Sequence, residues 1–430
     1  MPQTPSQFTE LPPIQDSLIT KSSEVELATA KDCLPLLANP EGRLNSFGLP
    51  HLNRAGHITF LRSNLEDLLP RGFTAADASR PWMLYWALSG LSMLGDDVTD
   101  LRDQVVSTLT PMQNRDGGFG GGHGQLSHLA TTYASVLSLV TVGGYAALNL
   151  INRKTLWHWL GHMKQGDGGF TMCEGGEKDI RGAYCAMTVI SLLNLPNELP
   201  PEAPARADGV ETFLAKLPEW ISSCQTFEGG IAGAPTNEAH GAYAFCALAC
   251  LSIIAPPNES IRRHIDIPAL ISWLAYRQCA PEGGFAGRTN KLVDGCYSHW
   301  VGGCWTLISA ALQSEGSADI WSREGLTRYI LCCCQGSAGL RDKPTTYPDG
   351  YHSCYVLAGL SAAQNVFKFE VDEKLLGVTP GTAAYGWTTV GQANVPGDEE
   401  DRIIPVHPVL VVPFERAAEC RGYFESKIGF

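Results

Sequence analysis

A tight turn of the form acid-Gly-Gly-apolar recurs along this chain, and its spacing limits the fold more than any other feature. It stands at Asp116-Gly117-Gly118-Phe119, Asp167-Gly168-Gly169-Phe170, Glu228-Gly229-Gly230-Ile231 and Glu282-Gly283-Gly284-Phe285, with a degenerate copy at Ser337-Ala338-Gly339-Leu340. The first glycines of the four full copies are 51, 61 and 54 residues apart, the length of two helices and their loops. Each repeat therefore reads as an αα-hairpin. An amphipathic helix precedes each turn, as in Leu156-Trp157-His158-Trp159-Leu160, and a nearly uncharged helix marked by Tyr133, Tyr184, Tyr243, Tyr297 or Tyr355 follows it. Uncharged helices must be covered on most sides. The pattern predicts an all-α fold, an α/α toroid with an inner and an outer ring; a straight solenoid of hairpins is the alternative. Gly and Pro at the turns exclude a β-barrel.

At 430 residues one large repetitive domain is expected over 26–364, flanked by a disordered tail at 1–25, rich in Pro, Ser, Thr and Gln, and a partly looped C-terminal wrap at 365–430. The net charge of -13 argues against broad electrostatic binding to nucleic acid or anionic lipid. No apolar run is long enough to span a bilayer and no secretory signal opens the chain, so a cytoplasmic protein is expected. The 14 cysteines are scattered through apolar helices and read as reduced, buried thiols. Asp398-Glu399-Glu400-Asp401 has no chemical role in this reading.

The densest polar cluster follows the fourth turn: Arg288, Asn290, Lys291, Asp294, Cys296, Tyr297, His299 and Trp300. Equivalent positions of other repeats supply Arg181, Tyr184, His240, Tyr243 and His352. Such recurrence points all of them into one cavity rather than to a solvated loop. Asp294, Cys296 and His352 would together offer a carboxylate, a thiolate and an imidazole, three zinc ligands with an open fourth position. His352 is 56 residues from Cys296 but opens the next inner helix, which brings the two together. His240, Arg288, Lys291 and Tyr297 would supply donors and permanent cations for a diphosphate at the rim. Trp82, Trp86, Tyr184, Tyr243, Trp300 and Tyr355 would line an apolar tail.

Across Asn290-Lys291-Leu292-Val293-Asp294-Gly295-Cys296-Tyr297-Ser298 the sequence closely resembles the β subunits of the protein farnesyltransferases, as it does at Ser79-Arg80-Pro81-Trp82, Glu238-Ala239-His240-Gly241 and Tyr351-His352-Ser353-Cys354-Tyr355. The resemblance implies an α/α barrel paired with a separate helical-repeat α subunit. It implies Asp294, Cys296 and His352 as ligands of one zinc ion, and His240, Arg288, Lys291 and Tyr297 as diphosphate contacts. Lys291 and Tyr297 stand with the three zinc ligands as the catalytic group. Arg181, Tyr184, Tyr243, Cys246 and Trp300 match isoprenoid-site positions, while Trp82 and Tyr355 match positions that set isoprenoid length and bound the peptide, and the aromatic Trp86 is grouped with them. Asp342 matches a position implicated in magnesium assistance to the leaving diphosphate, and a geranylgeranyl enzyme of type I would have a lysine there. The implied reaction is farnesyl transfer from farnesyl diphosphate to the cysteine of a C-terminal C-a-a-X motif; geranylgeranyl transfer is the alternative.

Three further readings compete. Asp96-Asp97-Val98-Thr99-Asp100 matches the aspartate-rich motif of class I terpenoid synthases, yet no second metal motif of that class follows, and a helix boundary capped by Asp explains it. A triterpene cyclase would need a D-x-D-D acid, which is absent. A helical docking protein without activity would leave the ligand set beside the basic cluster unexplained.

Overall fold

The computed structural model describes residues 5–12, 17–313, 320–370, 381–427 and 429. Among the described residues six inner helices form a ring: Arg80–Leu94, Leu129–Val142, Ile180–Leu192, Gly241–Ile254, Gly302–Leu312 with the turn Tyr297–Trp300 before it, and Gly350–Gln364. Each packs on the next, and the sixth packs on the first. That last contact closes the ring and decides for a toroid over a solenoid. The inner helices hold almost no charge because both their faces are covered; every residue of the second except Ala130 is buried.

Outer helices at Lys21–Ala38, Arg102–Leu109, Arg153–Met163, Leu217–Ser223, Ile267–Ala275 and Arg323–Tyr329 precede the turns. The last runs on as a π-helical segment, Ile330–Cys334. The glycines explain how hairpins stack. Gly117, Gly168 and Gly229 have φ of 105°, 106° and 95°, and a Cβ there would meet a backbone oxygen of the next outer helix or its cap at 2.2, 2.1 and 2.3 Å. Only glycine permits both the left-handed turn and that approach.

A sixth turn pairs Leu44 with Pro50, a copy that sequence reading missed because its only glycine is Gly48. The expected tail through residue 25 also differs. Phe8 is 4% exposed beneath Arg328, and the first outer helix already starts at Lys21, where Thr20 forms a capping box. Residues 1–4 and 13–16 of that tail lie outside the described residues.

Beyond the ring, Asn365–Phe369 pairs antiparallel with Trp387–Gln392. The acidic run clasps the N-terminal turn. Buried Asp401 accepts from Asn45 Nδ2, Leu52 N and His51 Nδ1 at 2.9–3.0 Å, and Glu400 pairs with Arg43 at 2.8 Å. The aspartate-rich decoy is likewise structural: Arg62 binds Asp96 and Asp100 at 2.6 and 2.9 Å, and Asp97 accepts from Thr99 N at 3.0 Å.

The C-terminal segment is not a peripheral wrap throughout. Val409, Leu410, Val411 and Val412 are at most 1% exposed, and the carbonyls of Val409 and Val411 accept from Tyr184 and Tyr85 of the inner helices. No helix among the described residues is long and apolar enough to cross a membrane.

Candidate active site

The N-termini of the inner helices converge on one mouth, and their caps are polar. His128, Asp179, His240 and Asp349 each cap an inner helix with a side-chain acceptor. Capping satisfies orphan backbone donors, and it also sets these side chains around one opening. Below it lies a cavity of about 470 Å³ lined by Trp82, Trp86, Tyr133, Tyr184, Tyr243, Cys246, Trp300 and Tyr355 among others. Trp82 stacks on Trp86 with ring centroids 5.6 Å apart, and Tyr355 packs on Trp300 at 4.5 Å. Trp300 Nε1 donates to Tyr351 OH at 3.1 Å. Tyr133 and Tyr184 bring their hydroxyls within 3.2 Å of each other.

On one side of the mouth, ligand atoms of Asp294, Cys296 and His352 all lie within 4.8 Å of one another. The His352 ring is oriented from behind: Asp349 Oδ2 contacts Nδ1 at 2.7 Å, while Asp349 Oδ1 accepts from His352 N at 2.7 Å. With a proton on Nδ1, the Nε2 lone pair points at the cluster. That nitrogen is buried without a well-directed hydrogen bond, and Asp294 Oδ1 sits 3.2 Å from it. Cys296 N donates to Asp294 Oδ1 at 2.9 Å, which fixes the D-x-C loop. Burial pushes the Cys296 thiol up to about 12, so only a nearby cation would hold it as a thiolate at neutral pH. A carboxylate, a thiolate and an oriented imidazole with an open position suit zinc.

The proposed diphosphate contacts flank that cluster. His240 Nδ1 accepts from Ala242 N at 3.2 Å, which places its proton on Nε2, 3.0 Å from Tyr297 OH. Burial, then Arg288, lowers the His240 pKa; the ring is neutral and donates to Tyr297, freeing the phenolic proton for another acceptor. Arg288 pairs with Glu238. Lys291 is exposed and makes no ion pair among the described residues. Arg181 is gripped by Asp179 at 2.8 and 2.9 Å and lies over the Tyr243 ring at 5.6 Å.

Asp342 stands apart from the cavity lining. Its carbonyl accepts from Gly295 N at 2.7 Å, but its carboxylate is engaged by Lys343 and Thr346. His128, Tyr133 and Glu177, which also line the cavity, were missed as site residues. The signal for His128 was present: it stands immediately ahead of an uncharged helix, as His240 does.

Residues 52–412 match the family described as the prenyltransferase alpha-alpha toroid domain. The protein farnesyltransferase subunit beta of Pyricularia oryzae is 50% identical over 99% of this chain and 85% of its own length. That of Schizosaccharomyces pombe is 36% identical over 95% of this chain and 98% of its own. Among solved structures, a chain of the Candida albicans protein geranylgeranyltransferase-I complexed with GGPP aligns with a TM-score of 0.63 at 20% identity, covering 88% of this chain and all of that one; at that identity the likeness concerns the fold. With a closed toroid around an aromatic cavity and this degree of identity along nearly its whole length, the chain belongs to the prenyltransferase toroid family and, within it, to the protein farnesyltransferase β subunits.

Proposed function

We propose that this chain is the catalytic β subunit of a zinc-dependent protein farnesyltransferase, active in the cytoplasm as a heterodimer with an α subunit. The observation that carries the reading is one juxtaposition. Tyr297, bonded to His240, directly follows Cys296 of the three-ligand cluster, so a diphosphate and a metal-held thiol would meet at one rim of an aromatic cavity.

Zinc held by Asp294, Cys296 and His352 would lower the pKa of a substrate cysteine and keep it as a thiolate. The chain's own residues do the rest. Aromatic walls take the hydrocarbon tail and exclude water, while Arg288, Lys291, His240 and Tyr297 meet the diphosphate. As sulfur bonds to C1, the C1–O bond breaks and diphosphate leaves with the electron pair. Donors already fixed at the rim stabilise the charge that accumulates on it without reorganising. Magnesium at the diphosphate would draw on Asp342 only if that carboxylate exchanged Lys343. The acceptor is a protein ending in C-a-a-X.

The heterodimer, loaded with farnesyl and geranylgeranyl diphosphate in competition over one cysteine-ended peptide, tests this. About one zinc per β chain and a farnesylated product are expected. A metal-free enzyme with full activity would refute the zinc reading, and preferential geranylgeranyl transfer would refute the farnesyl one.

A further inference from the structure

Tyr351 directly precedes His352 in the first turn of the sixth inner helix, and Trp300 Nε1 donates to its hydroxyl at 3.1 Å. An indole N–H is a donor and never an acceptor, so this contact occupies a lone pair of the phenol and leaves the phenolic proton free. The acceptor that the proton meets is a sulfur: the side chains of Tyr351 and Cys296 are hydrogen-bonded. Local chain geometry accounts for the meeting. Trp300 stands one turn beyond Cys296, its N donating to Cys296 O at 3.3 Å. The residue that grips the hydroxyl and the residue that receives its proton therefore lie on the same short turn.

Neighbouring rings hold the phenol in place. Trp86 meets it edge-on with centroids 5.3 Å apart, Tyr355 packs on it at 4.9 Å, and the His352 imidazole stands perpendicular to it at 5.0 Å. Such aromatic pairs fix orientation as well as burying area. The sulfur's own backbone is equally constrained. Cys296 N donates to Asp294 Oδ1 at 2.9 Å, Gly295 N donates to Asp342 O at 2.7 Å, and a Cβ on Gly295 would lie only 2.7 Å from Arg341 O. Donor, acceptor and the supports of both are thus set by the protein alone.

We propose that Tyr351 is a positioning residue of the metal centre: its hydroxyl, aimed by Trp300 Nε1, donates to Cys296 Sγ and so sets the electron density that this sulfur offers to a zinc ion. The inference rests on the zinc-transferase reading, and it gives the sulfur an outer partner as Asp349 is one for the imidazole. Two thiolates would share the ion in that reading, one from Cys296 and one from the substrate. A fixed donor on Cys296 draws charge from it, which keeps it a ligand and leaves the substrate sulfur the stronger nucleophile. Trp300 and Tyr351 both line the cavity, so the same bonded pair joins the wall of the hydrocarbon site to the metal ligand.

The test replaces zinc by cobalt(II) in the α/β heterodimer, where the thiolate-to-metal charge-transfer band reports the sulfur directly, for wild type, Tyr351→Phe and Trp300→Phe. Tyr351→Phe keeps the ring and removes the donor. Without that donor the sulfur electrons lie higher in energy, so the band should move to longer wavelength. Zinc affinity, measured against a chromogenic chelator, should fall by at least about tenfold, the low end for an outer-shell partner. Trp300→Phe leaves the hydroxyl but no longer aims it, and should move the band in the same direction by less. A purely structural tyrosine would change the unfolding temperature of the metal-free protein and leave the band where it is. A band at the wild-type position in folded, cobalt-loaded Tyr351→Phe overturns the proposal; should that variant not fold, the same result in Trp300→Phe overturns it. Wild-type heterodimer that takes up neither cobalt nor zinc overturns the metal reading itself.

Discussion

Asp349 offers a sharp test of the metal centre because one carboxylate performs two separable tasks. Its Oδ1 caps the sixth inner helix through His352 N, and its Oδ2 orients the imidazole through Nδ1, both at 2.7 Å. Asp349→Ala removes both. Loss of the cap costs about 1 kcal/mol of stability. Loss of an outer-shell partner lowers metal affinity by roughly 10- to 100-fold, or about 1.4–2.7 kcal/mol. Asp349→Asn retains an acceptor for the cap but no charge behind the ring, so the metal-free protein should unfold near the wild-type temperature while zinc affinity still falls by about tenfold. Competition against a chromogenic chelator measures the affinity, and thermal unfolding of the chelated protein measures the cap. If Asp349→Ala bound zinc as tightly as wild type, the His352 ring would not be positioned this way, and its assignment as a ligand would fail with the argument.

Three other outcomes follow from the geometry. Arg288→Ala and Lys291→Ala should each weaken diphosphate binding by about tenfold, the low end for charge-assisted contacts because both side chains remain wet, with zinc content unchanged; normal binding in the double variant would place the diphosphate elsewhere. Trp82→Thr should raise turnover with geranylgeranyl over farnesyl diphosphate while zinc stays loaded, since Trp82 stacks on Trp86 in the cavity wall; competition between the two donors reads this, and an unchanged ratio in folded protein would remove Trp82 as a determinant. Burial holds His407 neutral, with its pKa lowered to about 3, against about 6.5 in an unfolded chain. The folded state cannot take the proton that the unfolded state accepts, so the stability is complete above pH 6.5 and lost as pH falls, by about 2 kcal/mol at pH 5. Denaturant unfolding from pH 7 to 5 measures it, and a flat profile would contradict a neutral, buried His407.

Periodicity alone carried much of this fold. Paired glycines every fifty to sixty residues, each followed by an uncharged helix, specify hairpins that must stack and cover one another, because a helix without charge cannot face water. The same register told which polar residues share a mouth: Asp294, Cys296 and His352 stand at the starts of consecutive inner helices, and a repeat turns equivalent positions into neighbours. His128 was legible by that logic and was overlooked only because no acid or cation stands beside it. What periodicity cannot carry is a contact made by a segment without a period. Residues 398–413 hold prolines, an acidic run and a short valine-rich stretch, composition that reads as a surface wrap. Yet Asp401 is buried against Asn45 and Leu52, and Val411 reaches Tyr85 over 300 positions away in the chain. Only ring closure creates the axial hole that this segment fills, and a hole enclosed by six separate helices is a property of none of them. The mouth of the site was therefore written in the repeats, whereas the filling of the ring's far end was decided by tertiary structure.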